Sequence, residues 1–224
     1  IGSGAKNIEK MKYASSLLKL NIDERIRCLR KEALSRGIPV AEDETLNYLL
    51  LMISAVRPKR ILEIGTAVGL SSAAMLLQCP TAQVVTIEVE EERYLEAKKN
   101  FENLGLSERA TCYLGDAGEI LTMMDGCFDF IFLDGPKAQY EKYLFDLKRL
   151  MHNGSVLFAD DVLLYGWVSG EEPTPLKRRS IVEKIRGYLS AVSADKDFIT
   201  SVLNIGDGVA VSVLTKEDSE KDGE

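Results

Sequence analysis

Acidic residues stand at or near the ends of five short apolar runs in this sequence. They are Glu63, Glu88, Asp116, Asp134 and the pair Asp160-Asp161. If the runs are parallel strands, their carboxyl ends share one edge of a sheet, which is where ligands bind in open α/β folds. Neighbouring carboxylates repel one another unless a cationic group lies between them. The pattern therefore predicts a ligand site with a cationic component at that edge.

Asp134, Asp160 and Asp161 are the most specific part of this pattern. Three carboxylates from two neighbouring strand ends make an all-oxygen site, which suits a hard cation such as Mg²⁺, or Mn²⁺ or Ca²⁺ in its place. Lys137 follows Asp134 by three residues, and a nearby metal can lower a lysine pKa enough for a general base. The alternative is that Asp160-Asp161 caps a following helix and Lys137 is a surface lysine.

The turn after the first run indicates which cofactor the site takes. Gly65 and Gly69 are its only glycines, so the three-glycine fingerprint of dinucleotide-binding folds is missing. Glu63, two residues before the turn, would repel a pyrophosphate but suits an ammonium or a sulfonium. S-adenosylmethionine (SAM) is therefore favoured over NAD. The alternative is an ordinary strand-to-helix turn with a surface glutamate.

Two further acids fit a nucleoside. Glu88 ends the second run, near the spacing at which an acid meets ribose hydroxyls in nucleotide-binding folds. Asp116, after the third run, could accept a hydrogen bond from an adenine amino group.

The elements that must position these residues alternate between strands and helices. Such alternation predicts a doubly wound, mostly parallel sheet that ends in an antiparallel hairpin around Gly206-Asp207-Gly208. The predicted strands are Ile61–Ile64, Gln83–Glu88, Ala110–Leu114, Phe128–Leu133, Ser155–Ala159, Phe198–Leu203 and Val209–Leu214. The predicted helices are Ile8–Leu20, Ile22–Arg36, Asp43–Val56, one beginning at Ser71 or Ser72, Glu90–Leu104, Tyr140–Leu150 and one opened by Lys177-Arg178-Arg179.

Length and composition set outer bounds. The 224 residues, 46% hydrophobic and 28% charged, predict one domain over 1–215, with cap helices over about 5–57 and a charged, disordered tail over 216–224. Residues 1–4 read as an added or trimmed start. Four cysteines without CxxC spacing, no signal pattern and no membrane-length apolar run predict a cytoplasmic protein without a membrane partner.

The net charge of −7 argues against nucleic-acid binding through broad electrostatics. A local basic surface stays possible, because Lys177, Arg178 and Arg179 are consecutive. These three side chains could bind phosphate groups, or they could simply be exposed to solvent. Trp167, after the Asp160-Asp161 pair, could be a lid or a packed loop anchor.

The motifs together resemble a family. Glu63-Ile64-Gly65, Glu88, Asp134 with Lys137, and Asp160-Asp161 are similar to the metal-dependent catechol O-methyltransferases of class I, over roughly Asp23–Leu214. Within that family the chain most resembles the bacterial enzymes that methylate hydroxyuridine at the tRNA wobble position. The segments that carry this closer likeness are Ile38–Val40, Lys137–Tyr140, Lys177–Val182 and Ile205–Gly208.

The resemblance implies a class I seven-stranded fold, a homodimer, a metal held by Asp134, Asp160 and Asp161, and Lys137 as the base. It also implies a set of residues in contact with SAM: Val40, Glu63, Gly65, Thr66, Ala67, Ser71, Glu88, Gly115, Asp116, Ala117 and Asp134. Two features depart from the family pattern. Asp160-Asp161 stands where Asp-Asn is usual, and Gly135-Pro136 replaces aromatic wall residues, which puts a catechol-sized pocket in doubt.

Three functions stay open on the sequence. The first is tRNA wobble hydroxyuridine methylation, favoured by the basic residues. The second is methylation of a small catechol-like phenol, favoured by the acidic net charge. The third is a non-catalytic or NAD-binding Rossmann module, which Glu63 and the missing glycine disfavour.

Overall fold

The computed structural model describes residue 13 and residues 16–216. The predicted first helix, Ile8–Leu20, lies mostly outside these residues, and residues 18–20 at its described end are not helical. The predicted tail lies outside them from residue 217 onwards.

Helices and strands alternate through the described residues. The strands are β1 (Arg60–Ile64), β2 (Gln83–Glu88), β3 (Ala110–Leu114), β4 (Phe128–Leu133), β5 (Met151–Ala159), β6 (Phe198–Leu203) and β7 (Val209–Leu214). The α-helices are α1 (Glu24–Ser35), α2 (Asp43–Val56), α3 (Leu70–Gln78), α4 (Glu91–Asn103), α5 (Ala117–Met123), α6 (Tyr140–Arg149) and α7 (Arg179–Ala194). Short 3₁₀ turns span Ser107–Arg109, Lys137–Gln139 and Leu176–Arg178.

The seven strands form one sheet in the order β3-β2-β1-β4-β5-β7-β6. Strands β1 to β5 pair in parallel, and β7 runs antiparallel between β5 and β6. The predicted doubly wound sheet with an antiparallel C-terminal hairpin is confirmed. The order reverses between β1 and β4, and ligands bind at such switch points in open sheets.

Both faces of the central strands are covered, which explains why the runs are apolar without strict alternation. Ile61, Phe130 and Phe132 pack on one face, in a core shared with α1 to α4. Leu62 and Ile64 pack on the other face, in a core shared with α5 to α7.

Three elements differ most from the prediction, while several other ends shift by one or two residues. Helix α3 begins at Leu70 with Gly69 as its N-cap (φ 79°), because the Ser71 and Ser72 hydroxyls bond to Glu63 instead. The short helix α5 was not predicted; Asp116 caps it by accepting from the Gly118 and Glu119 amides at 2.8 and 3.2 Å.

Strand β5 is the third difference. It begins at Met151, not at Ser155, and it includes Gly154, whose φ of 91° lies in the region that favours glycine. The pairing of β5 with β4 shifts register between Phe128 and Phe130, as at a β-bulge. Among the described residues, none of the helices combines the length and the apolar character that crossing a membrane requires.

Tyr140 and Tyr188 offer a matched test of buried hydrogen bonding in this core. Both rings are fully buried and meet edge to face at 5.5 Å. The Tyr140 hydroxyl lies 3.0 Å from the Leu133 carbonyl oxygen and 3.2 Å from that of Asp160, joining the ends of β4 and β5. The Tyr188 hydroxyl has no partner among the described residues.

We expect Tyr140→Phe to lower the free energy of unfolding by about 1 kcal/mol, because two carbonyls lose a donor. Tyr188→Phe should leave this free energy unchanged or raise it, because the buried hydroxyl that it removes is unsatisfied. Urea unfolding of both variants measures the difference. Equal losses would show that the Tyr188 hydroxyl has a partner, such as a buried water.

Candidate active site

A cavity of about 470 Å³ opens at the carboxyl ends of the parallel strands, beside the switch point. Its size is in the range of small-molecule and cofactor sites. Most of the residues predicted to contact a cofactor line it: Val40, Gly65, Ala67, Glu88, Gly115, Asp116, Ala117 and Asp134. Lys137, Asp160 and Asp161 also line it.

The turn after β1 forms the floor of the cavity. Gly65 has a φ of 99°, and a Cβ at this position would overlap the backbone carbonyl of Asp134. Its amide donates to the Ile87 carbonyl at 3.1 Å. Ala67 adopts a φ of 45°, a conformation that non-glycine residues hold only where the surroundings enforce it. Bare backbone therefore faces the cavity, as close approach to a ligand requires.

Glu88 is fixed by three backbone amides. One carboxylate oxygen accepts from Ala67 at 2.8 Å, and the other accepts from Val89 and Glu90 at 2.9 Å each. The residue is 8% exposed and borders the cavity. Its carboxylate is thus held rigid where it could accept from hydroxyl groups of a ligand.

Glu63, Thr66 and Ser71 do not line the cavity. The Glu63 carboxylate is fully buried beneath the turn and accepts hydrogen bonds from the hydroxyls of Ser71, Ser72 and Thr86. Thr66 lies 2.6 Å from the Thr86 hydroxyl in the same network. Burial raises the pKa of Glu63 to about 7, and the three hydroxyl donors only partly oppose this rise. The structure therefore gives these residues a supporting position, where direct cofactor contact was predicted.

The predicted acidic cluster is present. The Lys137 ammonium lies 2.6 Å from an oxygen of Asp134 and 2.9 Å from one of Asp161. Asp160 is 2% exposed and accepts from the Asp161 amide at 2.7 Å. Burial, together with the charges of Asp134 and Asp161, raises the pKa of Asp160 to about 8. The Lys137 ammonium therefore pairs with two of the three acids, and the third favours its protonated form.

The protein groups around Lys137 raise its pKa, whereas the prediction concerned the effect of a neighbouring metal. Burial alone would lower this pKa, but the charges of Asp134 and Asp161 outweigh burial and raise it. Among protein groups alone, the lysine is therefore held as an ammonium.

The donor set fits a hard divalent cation in its chemistry, since it offers only carboxylate oxygens and an excess of negative charge. Within the described residues, no three acidic, histidine or cysteine side chains are grouped as ligands around one point. The reason is visible in the contacts: Lys137 spans Asp134 and Asp161, and one Asp160 oxygen is bonded to backbone. Asp161 has a φ of 56°, a conformation that Asp and Asn tolerate better than other side chains do.

Several cavity residues were missed by the sequence reasoning. Tyr165 lines the cavity, whereas Trp167 does not; the two rings lie 5.0 Å apart. The Trp167 carbonyl accepts from Arg186, so this residue anchors the loop. Pro39, Ala41, Glu42 and Asp207 also reach the cavity, through the packing of distant elements that no local motif signals. Lys177, Arg178 and Arg179 are exposed and lie outside the cavity wall.

Comparison with known proteins identifies the relatives of this chain. The family model described as O-methyltransferase matches residues 14–215. The chain is 29% identical over 183 residues to the caffeoyl-CoA O-methyltransferase of Populus kitakamiensis, which covers 78% of this chain and 77% of that protein. It is 28% identical over 177 residues to the catechol O-methyltransferase of Niastella koreensis, which covers 75% and 78%.

A solved structure supports the same assignment. The O-methyltransferase TomG from Streptomyces achromogenes, involved in tomaymycin synthesis and determined in complex with SAM, superposes with a TM-score of 0.77. It is 25% identical and covers 91% of this chain and 95% of its own. The predicted class I methyltransferase fold is thereby confirmed.

The Glu63 network predicts a pH-dependent stability. The folded-state pKa of about 7 exceeds the ordinary value of 4.5, so the folded protein holds this proton more tightly than the unfolded chain does. This contribution to stability is therefore complete below pH 4.5 and is lost as the pH rises to about 7. Glu63→Gln keeps an acceptor for the hydroxyls and should remove this part of the pH dependence.

Glu63→Ala should lower the free energy of unfolding by at least about 2 kcal/mol, because the buried hydroxyls of Ser72 and Thr86 and the partly buried hydroxyl of Ser71 lose their acceptor. Urea unfolding at pH 5 and pH 8 compares both variants with the wild type. If Glu63→Gln kept the wild-type pH dependence, another group would be the one that titrates.

Proposed function

Since the chain belongs to the O-methyltransferase family and is a SAM-dependent O-methyltransferase, we propose that it methylates a small acceptor carrying a catechol-like pair of hydroxyls. The observation that carries this proposal is the composition of the cavity. One end has exposed backbone and the fixed Glu88 carboxylate, and the other has Lys137 beside Asp134, Asp160 and Asp161.

SAM suits the first end. Gly65 and Ala67 allow its methionine portion to approach the backbone, Glu88 can accept from both ribose hydroxyls, and Asp116 can accept from the adenine amino group. The sulfonium of SAM is favoured by an acidic wall. Glu63 would act through the turn that it supports.

A small acceptor suits the second end better than a nucleic acid does. Glu42 and Asp207 add two carboxylates to the wall next to Asp161, and they would repel phosphate groups. Tyr165 borders this end and can supply an aromatic face, which answers the doubt that Gly135-Pro136 raised. The relatives named above as caffeoyl-CoA and catechol O-methyltransferases support the same choice.

Asp134, Asp160 and Asp161 would hold a divalent cation, with Mg²⁺ as the first candidate. When bound, it would supply Lewis-acid polarisation of an acceptor hydroxyl. The Lys137 ammonium would lose its proton more readily beside a bound cation. The neutral amine would then receive the proton of the acceptor hydroxyl at Nζ. The acceptor oxygen then forms its bond to the methyl carbon as the carbon–sulfur bond breaks, which gives the methyl ether and S-adenosylhomocysteine. The walls contribute by holding both reactants in line.

A second candidate acceptor is hydroxyuridine at the tRNA wobble position. It is favoured by the consecutive exposed side chains of Lys177 and Arg178, in the 3₁₀ turn before α7, and of Arg179, the first residue of α7. In this case the basic residues would contact phosphates outside the cavity, and only the base would enter it.

The acceptor experiment uses purified protein, SAM and release of S-adenosylhomocysteine as the measurement. We expect turnover with catechol, none with phenol and none with hydroxyuridine-containing tRNA, because the cation needs two neighbouring oxygens and the cavity repels phosphate. A chelator should abolish turnover, and added Mg²⁺ should restore it. Methylation of the tRNA alone would establish the second candidate, and full activity with chelator would exclude the metal.

Lys137→Ala should lower turnover by roughly 10²- to 10⁴-fold and leave the affinity for S-adenosylhomocysteine nearly unchanged, as expected for loss of a general base. Lys137→Arg should recover little, because a guanidinium does not give up its proton near neutral pH. Lys142→Ala, an exposed lysine on α6, is the matched control. Near-wild-type turnover of Lys137→Ala would make Lys137 structural only.

Asp161→Asn should keep most activity, since the amide oxygen can still coordinate a cation.

A further inference from the structure

One wall of the cavity comes from the segment Pro39–Glu42, which we call the strap. It joins α1 to α2, and all four of its residues line the cavity. Its neighbours on both sides are buried, Ile38 before it and Thr45 and Leu46 after it. Within the strap, Val40 and Ala41 are only partly buried and Pro39 and Glu42 are exposed. Buried packing therefore holds the residues on either side of the strap more firmly than it holds the strap itself.

A single side chain from α1 bonds to the strap and to the residue after it. Arg30 donates to the Ala41 carbonyl at 2.6 Å, and its other nitrogens donate to one Asp43 oxygen at 2.7 and 3.0 Å. The Arg30 side chain is only 11% exposed, whereas that of Asp43 is 54% exposed. A planar guanidinium with several fixed donors can hold a carbonyl and a carboxylate at once, which a lysine cannot do in the same geometry.

The anchor works against a repulsive contact on the other side of the strap. Glu42 faces Asp207, whose carboxylate in turn lies near Asp161. The Glu42 pKa is raised by burial and by the charges of Asp207, Glu44 and Asp161, so its ionised form is disfavoured here. Like charges across the cavity mouth push the strap outwards. The bonds from Arg30 act on the opposite side of the strap and oppose this repulsion.

We infer that Arg30 is a positioning residue, which holds the strap against the cavity so that the cofactor meets an ordered wall. The inference rests on the proposed function, because it assumes that SAM occupies the cavity. Without the anchor, the strap would have to become ordered each time the cofactor binds. The conformational entropy lost in that ordering would weaken binding. Arg30 itself does not line the cavity.

The test combines hydrogen exchange with calorimetry of S-adenosylhomocysteine binding. Arg30→Ala should speed amide exchange in residues 40–43 of the ligand-free protein and raise the dissociation constant of S-adenosylhomocysteine about tenfold. Asp43→Asn, at an exposed site that tolerates the change, should raise it by a smaller factor. Because both changes break one anchor, the double variant should bind no more weakly than Arg30→Ala.

Arg27→Ala is the matched control, since Arg27 lies on the same helix and bonds to Glu24 and the Leu20 carbonyl, away from the strap. Its binding should stay within twofold of the wild type. The inference is overturned if strap exchange and affinity are the same in Arg30→Ala and the wild type. Failure of the wild type to bind S-adenosylhomocysteine would instead refute the proposed function, while the exchange measurement would still decide whether Arg30 anchors the strap.

Discussion

The close approach of two backbones, at Gly65 and Asp134, is the constraint on which the cavity depends. Strands β1 and β4 are neighbours only because the sheet order reverses between them. Their carboxyl ends then meet so tightly that no Cβ fits at Gly65. The same contact puts the glycine turn, which suits a cofactor, directly beside the first acid of the cluster, which suits an acceptor. The order of the strands, and not the length of the loops, therefore places the region that suits a cofactor next to the region that suits an acceptor.

Electrostatic imbalance is the second organising feature. Asp134, Asp160 and Asp161 are brought together by the ends of β4 and β5, where the Asp160 amide donates to the Leu133 carbonyl at 3.0 Å. Lys137 compensates only part of their charge. Burial and the charges of Asp134 and Asp161 raise the pKa of Asp160 to about 8, so these groups favour its protonated form. Such a cluster lowers stability, and it persists because the two buried cores on either side of the sheet hold it in place. Any cation that binds only the folded protein would stabilise it.

The sequence predicted the sheet, its C-terminal hairpin and the acids at the strand ends, because each depends on a local pattern of apolar runs and turns. It did not predict the position of the Glu63 side chain. From the sequence, an acid before a glycine turn looks the same whether it faces the cavity or the hydroxyls of Ser71 and Thr86. The contributions of Tyr165 and Asp207 were also missed, because they depend on the pairing of β5 with β7 and on a loop with left-handed residues. Long-range packing therefore decided which side chains reach the cavity.

Asp161 shows how backbone and charge can impose different requirements at one position. Its left-handed conformation favours Asp or Asn, so the fold alone accepts either residue. The resemblance to the catechol O-methyltransferases would place Asn here, and the extra carboxylate of this chain lies 2.9 Å from Lys137. That contact helps to raise the lysine pKa, so it holds the proton on Nζ more firmly than an amide would. The same extra charge would strengthen attraction for a divalent cation, whose arrival would weaken the hold on the proton. Proton release at Lys137 therefore depends on the total charge of Asp134, Asp160 and Asp161. This dependence is stronger with Asp at position 161 than it would be with Asn.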